Sequence, residues 1–382
     1  MIAQFRSYKI EIDPTKDQLI KINKTFGVCR FIYNFYITKN KEVYETSKKF
    51  MTAYDFSKWL NNEFLPNNPE YCWIKEVSTK ATKQSMLDGE SSFKKFFKKQ
   101  TKFPKYKKRS HNTKFTVPKN NKTDCALERH RVNIPTFGFV RLKEFGYIPI
   151  DSEVTSMTIS KDAGHYYVSI RCKVNENISL LKIEHSEGIG IDLGIKELAV
   201  CSTGKIFSNI NKTSKFKKIT KKLKREQRSL SRKSNKKGES NNNRKKNILR
   251  VQKLHRSLRN KRTEYVRFVV NSLVKQNPKF ITIEDLSIRN MLKNRHLSKA
   301  IQNQMFYYFK TFLLQQCVKY QIEVREISRW YPSSKTCCCC GYIKKDLKLS
   351  DRTYVCDGCG FEIDRDLNAS YNIRDCIDYK IL

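Results

Sequence analysis

Gly188 to Val200 reads GIGIDLGIKELAV. An apolar strand carries one carboxylate, Asp192, near its middle, and Gly194 leaves room beside it before a second strand starts. A buried carboxylate is costly unless it is paired or holds a metal. Two other stretches place acids in the same way. Lys279 to Leu286, KFITIEDL, is a β-branched run that ends in Glu284 and Asp285. Glu362 to Ser370, EIDRDLNAS, opens a terminal helix, with Asn368 two residues past Asp366. Three acids from distant segments can meet on a pair of divalent ions. Two such ions about 3.5–4 Å apart activate water and stabilise the leaving oxygen in phosphodiester cleavage, so the pattern predicts a nuclease centre.

Between the second and third acidic segments lies Cys337-x-x-Cys340, followed after fifteen residues by Cys356-x-x-Cys359. Gly341 and Gly360 follow the two pairs and permit the tight knuckles that turn backbone amides toward sulfur. Four thiolates so arranged match one structural Zn2+ site. Cys338 and Cys339 sit inside the first knuckle, so the choice among four consecutive cysteines rests on spacing. The chain has 13 cysteines, and those outside this cluster read as small buried hydrophobes. The segment Met1 to Pro14 carries Arg6, Lys9, Glu11 and Asp13 and lacks an apolar leader, so a reducing, cytoplasmic setting is expected, where paired thiols hold metal.

Over the whole sequence 77 Lys and Arg face 37 Asp and Glu, a net charge of +40 that needs an anionic partner, best a nucleic acid. With 39% hydrophobic and 12% aromatic residues the chain can bury real cores, and 382 residues allow two or three domains. Residues 211–264 concentrate the charge, 22 Lys and Arg against 3 Glu, around apolar positions at near-helical spacing. This predicts a basic helical hairpin, with Lys217, Lys218, Lys221, Lys222, Arg225, Arg256 and Arg262 as phosphate contacts. Residues 1–15 alternate as a strand, residues 16–100 take helical spacing, and residues 115–173 return to a period of two, as a small barrel able to take up the first strand. Phe93 to Lys108 interleaves aromatic rings with lysines, among them Lys105, Lys107 and Lys108. Either bases stack there, or a Phe stripe faces a core below a solvated lysine face. No apolar run is long enough for a membrane span.

The blocks GIDLG, IEDL and DRDLNAS, with CxxCG twice between the last two, resemble the split RuvC nuclease of the transposon-encoded TnpB family, relatives of the type V CRISPR effectors. Ser333 to Cys337 (SSKTC), Gly27 to Asn34 (GVCRFIYN) and Phe103 to Lys108 (FPKYKK) fit the same family, and the resemblance covers essentially the whole chain. It implies an α+β multidomain protein. Residues 16–114 would form a helical recognition domain, and 1–15 with 115–180 a β-barrel wedge domain. Residues 186–329 and 362–382 would form an RNase-H-like RuvC nuclease domain that includes the 211–264 hairpin, with a zinc ribbon inserted at 330–361. The implied activity is RNA-guided, Mg2+-dependent DNA endonuclease: two catalytic Mg2+ with Mn2+ as substitute, one structural Zn2+, a guide RNA from the transposon end, a double-stranded DNA target beside a short flanking motif, no membrane, and a monomer. Carried over by position, the catalytic carboxylates are Asp192, Glu284 and Asp366. Asp366 is preferred to Asp364 because the family pattern is D-x-N; Asp364 and Asp285 are the alternates. The run of four cysteines departs from the family's spaced pair. The main rival is a guided DNA-binding repressor that does not cut, which would lose carboxylates; all three are present.

Overall fold

Pro14 cannot donate to a sheet ladder and stops the first strand, β1 (Gln4–Asp13). Thr15 then starts helix α1 (Lys16–Ser47) with a capping box. Its hydroxyl accepts from the Gln18 amide at 3.3 Å, and the Gln18 side chain accepts from the Thr15 amide at 3.0 Å. The computed structural model describes residues 4–109, 113–121, 124–150, 152–174, 186–233, 242–348 and 351–382, and the chain divides into two units, Met1–Asn177 and Ile178–Leu382.

In the first unit α1 is followed by α2 (Ala53–Trp59), α3 (Leu65–Asn67) and α4 (Thr79–Phe97), then by β2 (Lys114–Pro118), β3 (Arg131–Ile134), β4 (Gly138–Leu142), β5 (Glu153–Asp162) and β6 (His165–Val174). The strands make an antiparallel sheet in the order β2-β5-β6-β1-β4-β3, with β1 paired to β6 from Gln4↔Val174 to Ile12↔Tyr166. One face of α1 (Ile22, Phe26, Cys29) packs with the sheet residues Ile10, Ile12, Met157 and Ile170. Its later turns (Ile32, Tyr33, Tyr36) join Phe56, Leu60 and Phe93 in a separate, largely aromatic core. Phe93 is thus buried, whereas Phe97, Phe103 and Tyr106 remain about half exposed.

The second unit opens with β7 (Ile189–Leu193), β8 (Glu197–Cys201) and β9 (Ile206–Ser208), followed by the long helices α5 (Ser214–Arg232) and α6 (Asn242–Val274). Then come β10 (Phe280–Glu284), α7 (Ile288–Met291), α8 (Ser298–Gln304), α9 (Phe306–Tyr320), β11 (Glu323–Ile327), β12 (Thr353–Val355), β13 (Glu362–Asp364), α10 (Arg365–Asp375) and β14 (Tyr379–Ile381). Among the described residues the main sheet runs β14-β11-β10-β7-β8-β9, with β7, β10 and β11 parallel and the outer strands antiparallel to their neighbours. Ile189, Ile191, Ile281 and Ile283 share one core with Val269, Leu273, Phe309 and Leu313, so α6 and α9 cover one face of the sheet.

Successive strand residues point to opposite faces. Gly190, between Ile189 and Ile191, meets the other covering helix: a Cβ there would lie 2.1 Å from the Ser370 carbonyl oxygen and 2.5 Å from the Arg374 amide nitrogen of α10. Asp192 and Glu284 share that parity, so both belong to the α10 face. Gly190 is therefore the residue that lets α10 lie on β7. Because the colliding atoms are backbone, Gly190→Ala is expected to destabilise by about 3 kcal/mol or more. Gly27 in α1 has nothing within 4 Å of such a Cβ, so Gly27→Ala should be neutral or stabilise by up to ~1 kcal/mol. Calorimetry of the two variants checks the contrast, and equal melting temperatures would contradict it.

Candidate metal centres and basic surface

The parallel register pairs Thr282 with Gly190 and Ile283 with Ile191; one step further along the two strands come Glu284 and Asp192. Both acids thus stand at the carboxyl ends of adjacent parallel strands, where open α/β sheets place their ligands. The turn after Asp192 is pinned by Gln304, which donates to the Gly194 carbonyl at 2.9 Å. Asp366 enters from the first turn of α10, which Asp364 caps by accepting from the Asp366 and Leu367 amides at 3.0 and 3.1 Å. Burial, reinforced by the nearby charges of Glu284 and Asp366, pushes the Asp192 carboxyl from 3.8 up to about 8. Burial also raises Glu284, against the opposing effect of a hydrogen bond from the Ser333 hydroxyl to its Oε1 at 2.5 Å. Arg365 donates to Asp366 Oδ1 at 3.0 Å, and Arg352 stands 4.0 Å from its Oδ2. The alternates have other partners: Asp364 is the helix cap, and Asp285 pairs with Arg329.

The crowding of Asp192 by two other acids is what a divalent cation relieves, and an all-oxygen donor set suits Mg2+ or Mn2+. Among the described residues, no three carboxylates are drawn within 4.8 Å of one another.

The four cysteines are closer. Sγ atoms of Cys337, Cys340, Cys356 and Cys359 all lie within 4.8 Å of one another, with Cys337 to Cys359 at 3.8 Å and Cys340 to Cys356 at 3.5 Å. Zn–S bonds of about 2.3 Å at tetrahedral angles put sulfurs roughly 3.8 Å apart, so the cluster fits zinc. Each knuckle closes with a glycine at positive φ, Gly341 at 76° and Gly360 at 73°, whose amides reach the Cys337 and Cys356 carbonyls at 2.9 Å. Burial raises the Cys356 thiol, but the amides of Cys359 and Gly358 and the thiols of Cys340 and Cys359 together draw it down to about 6, while the shared thiol hydrogen bonds raise Cys340 and Cys359. Of the four consecutive cysteines it is thus the first and last that converge; Cys339 is exposed and Cys338 half-buried. β12 and β13 pair beneath the second knuckle.

Helices α5 and α6 form the basic hairpin around a small core of Phe216, Leu223, Val251 and Leu258. Lys217, Lys218, Lys221, Lys222 and Arg225 are exposed on α5, and a cleft of about 740 Å³ lies against Lys217, Lys221, Arg259, Arg262 and Lys299. Arg256 and Arg262 are half-buried; the Arg262 Nε donates to Asn211 Oδ1 at 2.7 Å. In the first unit Lys105 and Lys108 are exposed, but the Lys107 amine lies 3.7 Å from the centre of the Tyr33 ring, and burial lowers its pKa. That lysine packs inward, a role its neighbours do not share. Sequence spacing had no means of finding Ser333 on Glu284 or Arg365 on Asp366, although both lie inside the motifs SSKTC and DRD.

Residues 169–295 match a family described as "Probable transposase", residues 306–373 one described as "Cas12f1-like, TNB domain", and residues 1–49 one described as "Helix-turn-helix domain". The chain is 30% identical to a protein of Streptomyces pristinaespiralis provisionally named an RNA-guided DNA endonuclease, over 96% of this chain and 88% of that one. The chain belongs to the TnpB family. A second relative, provisionally named RNA-guided DNA endonuclease InsQ, from Escherichia coli K12, is 29% identical over 97% of this chain and 92% of its own length. A cryo-EM structure of a Cas12f1 complex with sgRNA and target DNA superposes with a TM-score of 0.56 at 13% identity, covering 98% of this chain and 99% of that one, which shows the shared α+β fold. In this TnpB member the residues matched as a helix-turn-helix fold instead as β1 and the single unbroken α1. No described helix is long and apolar enough to cross a membrane.

Proposed function

We propose that the protein is an RNA-guided DNA endonuclease that cuts target DNA beside a short flanking motif, with Asp192, Glu284 and Asp366 as the catalytic carboxylates of an RNase-H-like RuvC domain. The observation that carries this reading is the setting of Asp192 on β7: burial, reinforced by the charges of Glu284 from β10 and Asp366 from α10, raises its carboxyl to about 8. The names of the relatives in Streptomyces and Escherichia support the same activity. Two divalent ions bound there would activate the attacking water and stabilise the leaving oxygen of the phosphodiester. The residues themselves hold the geometry. Ser333 fixes Glu284 Oε1, the Gln304 clasp fixes the turn behind Asp192, and Arg365 keeps a positive charge on Asp366. In this reading a guide RNA from the transposon end pairs with one DNA strand, the basic hairpin tracks phosphates, and the first unit reads the flanking motif. The four cysteines hold one structural Zn2+ in the ribbon of residues 330–361.

The test is to purify the protein with its co-expressed RNA, add Mg2+ and a matched plasmid with a randomised flank, and look for double-strand cuts enriched for one flank. Guided binding without cutting by the wild type would instead identify a repressor.

The hairpin makes a quantitative prediction. Each phosphate contact contributes close to one unit to the slope of log affinity against log salt concentration. Replacing Lys218, Lys222 and Arg225 by Ala, all exposed on α5, should lower that slope by about 3. Fluorescence anisotropy over a salt series measures it, and an unchanged slope would show that α5 touches no phosphate.

A further inference from the structure

Between the carboxylate site and the first cysteine knuckle runs a six-residue strap, Ser333 to Cys338, fastened to α10 by two buried asparagines one helical turn apart. Asn368 is 0% exposed; its Nδ2 donates to the Thr336 carbonyl at 2.7 Å, and its Oδ1 accepts from the Cys338 amide at 3.0 Å. Asn372 is 7% exposed and its Nδ2 donates both to the Ser333 carbonyl at 2.8 Å and to the Thr336 carbonyl at 2.6 Å. At its front end the strap presents the Ser333 hydroxyl, 4% exposed as a residue, to Glu284 Oε1. At its back end Cys337 and Cys340 join the sulfur cluster. The same helix carries Asp366 at its start. No fully buried side-chain nitrogen or oxygen along this path lacks a hydrogen-bond partner, and a buried network so held admits few alternative poses.

We propose that this strap makes the cysteine cluster set the pose of Glu284, with Ser333 as the positioning residue that delivers the constraint. The inference rests on the reading of Asp192, Glu284 and Asp366 as a divalent-ion site. With the knuckle closed, the Cys338 amide and Thr336 carbonyl hold the strap in register on Asn368 and Asn372, and the Ser333 hydroxyl occupies Oε1. With the knuckle open the strap loses its anchor, and Glu284 loses the donor that orients it. Groups that orient a metal-ligating side chain commonly matter 10–100-fold for metal affinity.

The experiment measures Mn2+ binding to the full-length protein by calorimetry and by loss of free-ion EPR signal, so that its readout does not depend on cutting. Ser333→Ala should weaken Mn2+ binding about 10-fold with zinc content unchanged at one per chain, and Ser333→Thr, which keeps the hydroxyl, should restore it to within about 3-fold. Zinc removal with a thiol-reactive mercurial should weaken Mn2+ binding in the wild type by a similar factor, but add less than about 2-fold in the Ser333→Ala background, because both act through one bond. A full additional loss on zinc removal in Ser333→Ala would overturn the proposal, as would Ser333→Ala binding Mn2+ like the wild type. Asp192→Ala separates this failure from that of the underlying site: if it abolishes Mn2+ binding while Ser333→Ala leaves it intact, the carboxylate site stands and the strap does not. If Asp192→Ala leaves binding unchanged, both fall.

Discussion

Asp192→Asn is expected to abolish cutting and, in the absence of divalent ions, to make the protein more stable. The loss of activity should be about 1,000-fold or more, since ligands of this kind support several kcal/mol of transition-state stabilisation. Guided binding to the target should survive, because it depends on base pairing and on the basic surfaces. The gain in stability follows from the direction of the Asp192 shift, from 3.8 to about 8. A carboxyl whose folded-state pKa is raised is no burden below about pH 4, where it is protonated in the folded and unfolded chain alike. As pH rises toward 8 the unfolded chain ionises freely and the folded one resists, so the ion-free protein loses stability across that window. Each unit corresponds to about 1.4 kcal/mol, and the asparagine, which never ionises, should recover on the order of 2–4 kcal/mol at pH 8. That is roughly 5–10 °C in melting temperature for a unit of this size. Mg2+ should stabilise the wild type and leave the variant unmoved. Scanning calorimetry at pH 5 and pH 8, with and without Mg2+, reads all of this. A variant no more stable than wild type at pH 8 without ions would mean that Asp192 is not crowded.

Cys356→Ser should release the zinc and unfold its module while leaving the main sheet standing. The local core consists of Cys337, Tyr354 and Cys356, with Leu347 and Ile363 against it, so two of the metal's own ligands make up much of its apolar content. Too little remains to hold β12 against β13 once the sulfurs part. Structural zinc contributes on the order of 10–16 kcal/mol in small zinc modules, and loss of a ligand forfeits most of it. The expected result is less than about 0.1 zinc per chain. Amide protection should vanish at Thr353–Val355 and Glu362–Asp364 and persist in β7 and β10, with cutting at least 10-fold lower. Metal analysis and hydrogen exchange by mass spectrometry check it. Retained zinc with intact protection of β12 would show that the module folds without the fourth sulfur.

The acids were legible because each sits where a carboxylate is out of place, in an apolar strand or at the head of a helix, and the cysteines because CxxCG carries its own backbone geometry. Which acids meet was less so. Asp364 and Asp366 are two residues apart, and only the cap geometry shows that the first turns to the helix amides; both charges act on Asp192, the second more strongly. The strand alternation of residues 5–12 was plain, but its pairing with β4 and β6 is a long-range fact that periodicity does not encode. The Phe/Lys run held two readings; the structure bears out the core-facing one at Phe93, leaves Phe103 and Tyr106 half exposed, and packs Lys107 on Tyr33. Ser333, Asn368 and Asn372 were hidden because a hydroxyl or amide advertises its partner nowhere in the sequence.

Helix α6 runs unbroken for 33 residues, close to 50 Å of rod. Its early turns, through Val251 and Leu258, brace α5; its last turns, from Val266 to Val274, form the floor under β7 and β10. One stiff beam therefore serves as both handle and foundation. In the proposed reading, a load that a nucleic acid places on the α5 and α6 pair is carried by the same rod that underlies the strands bearing Asp192 and Glu284.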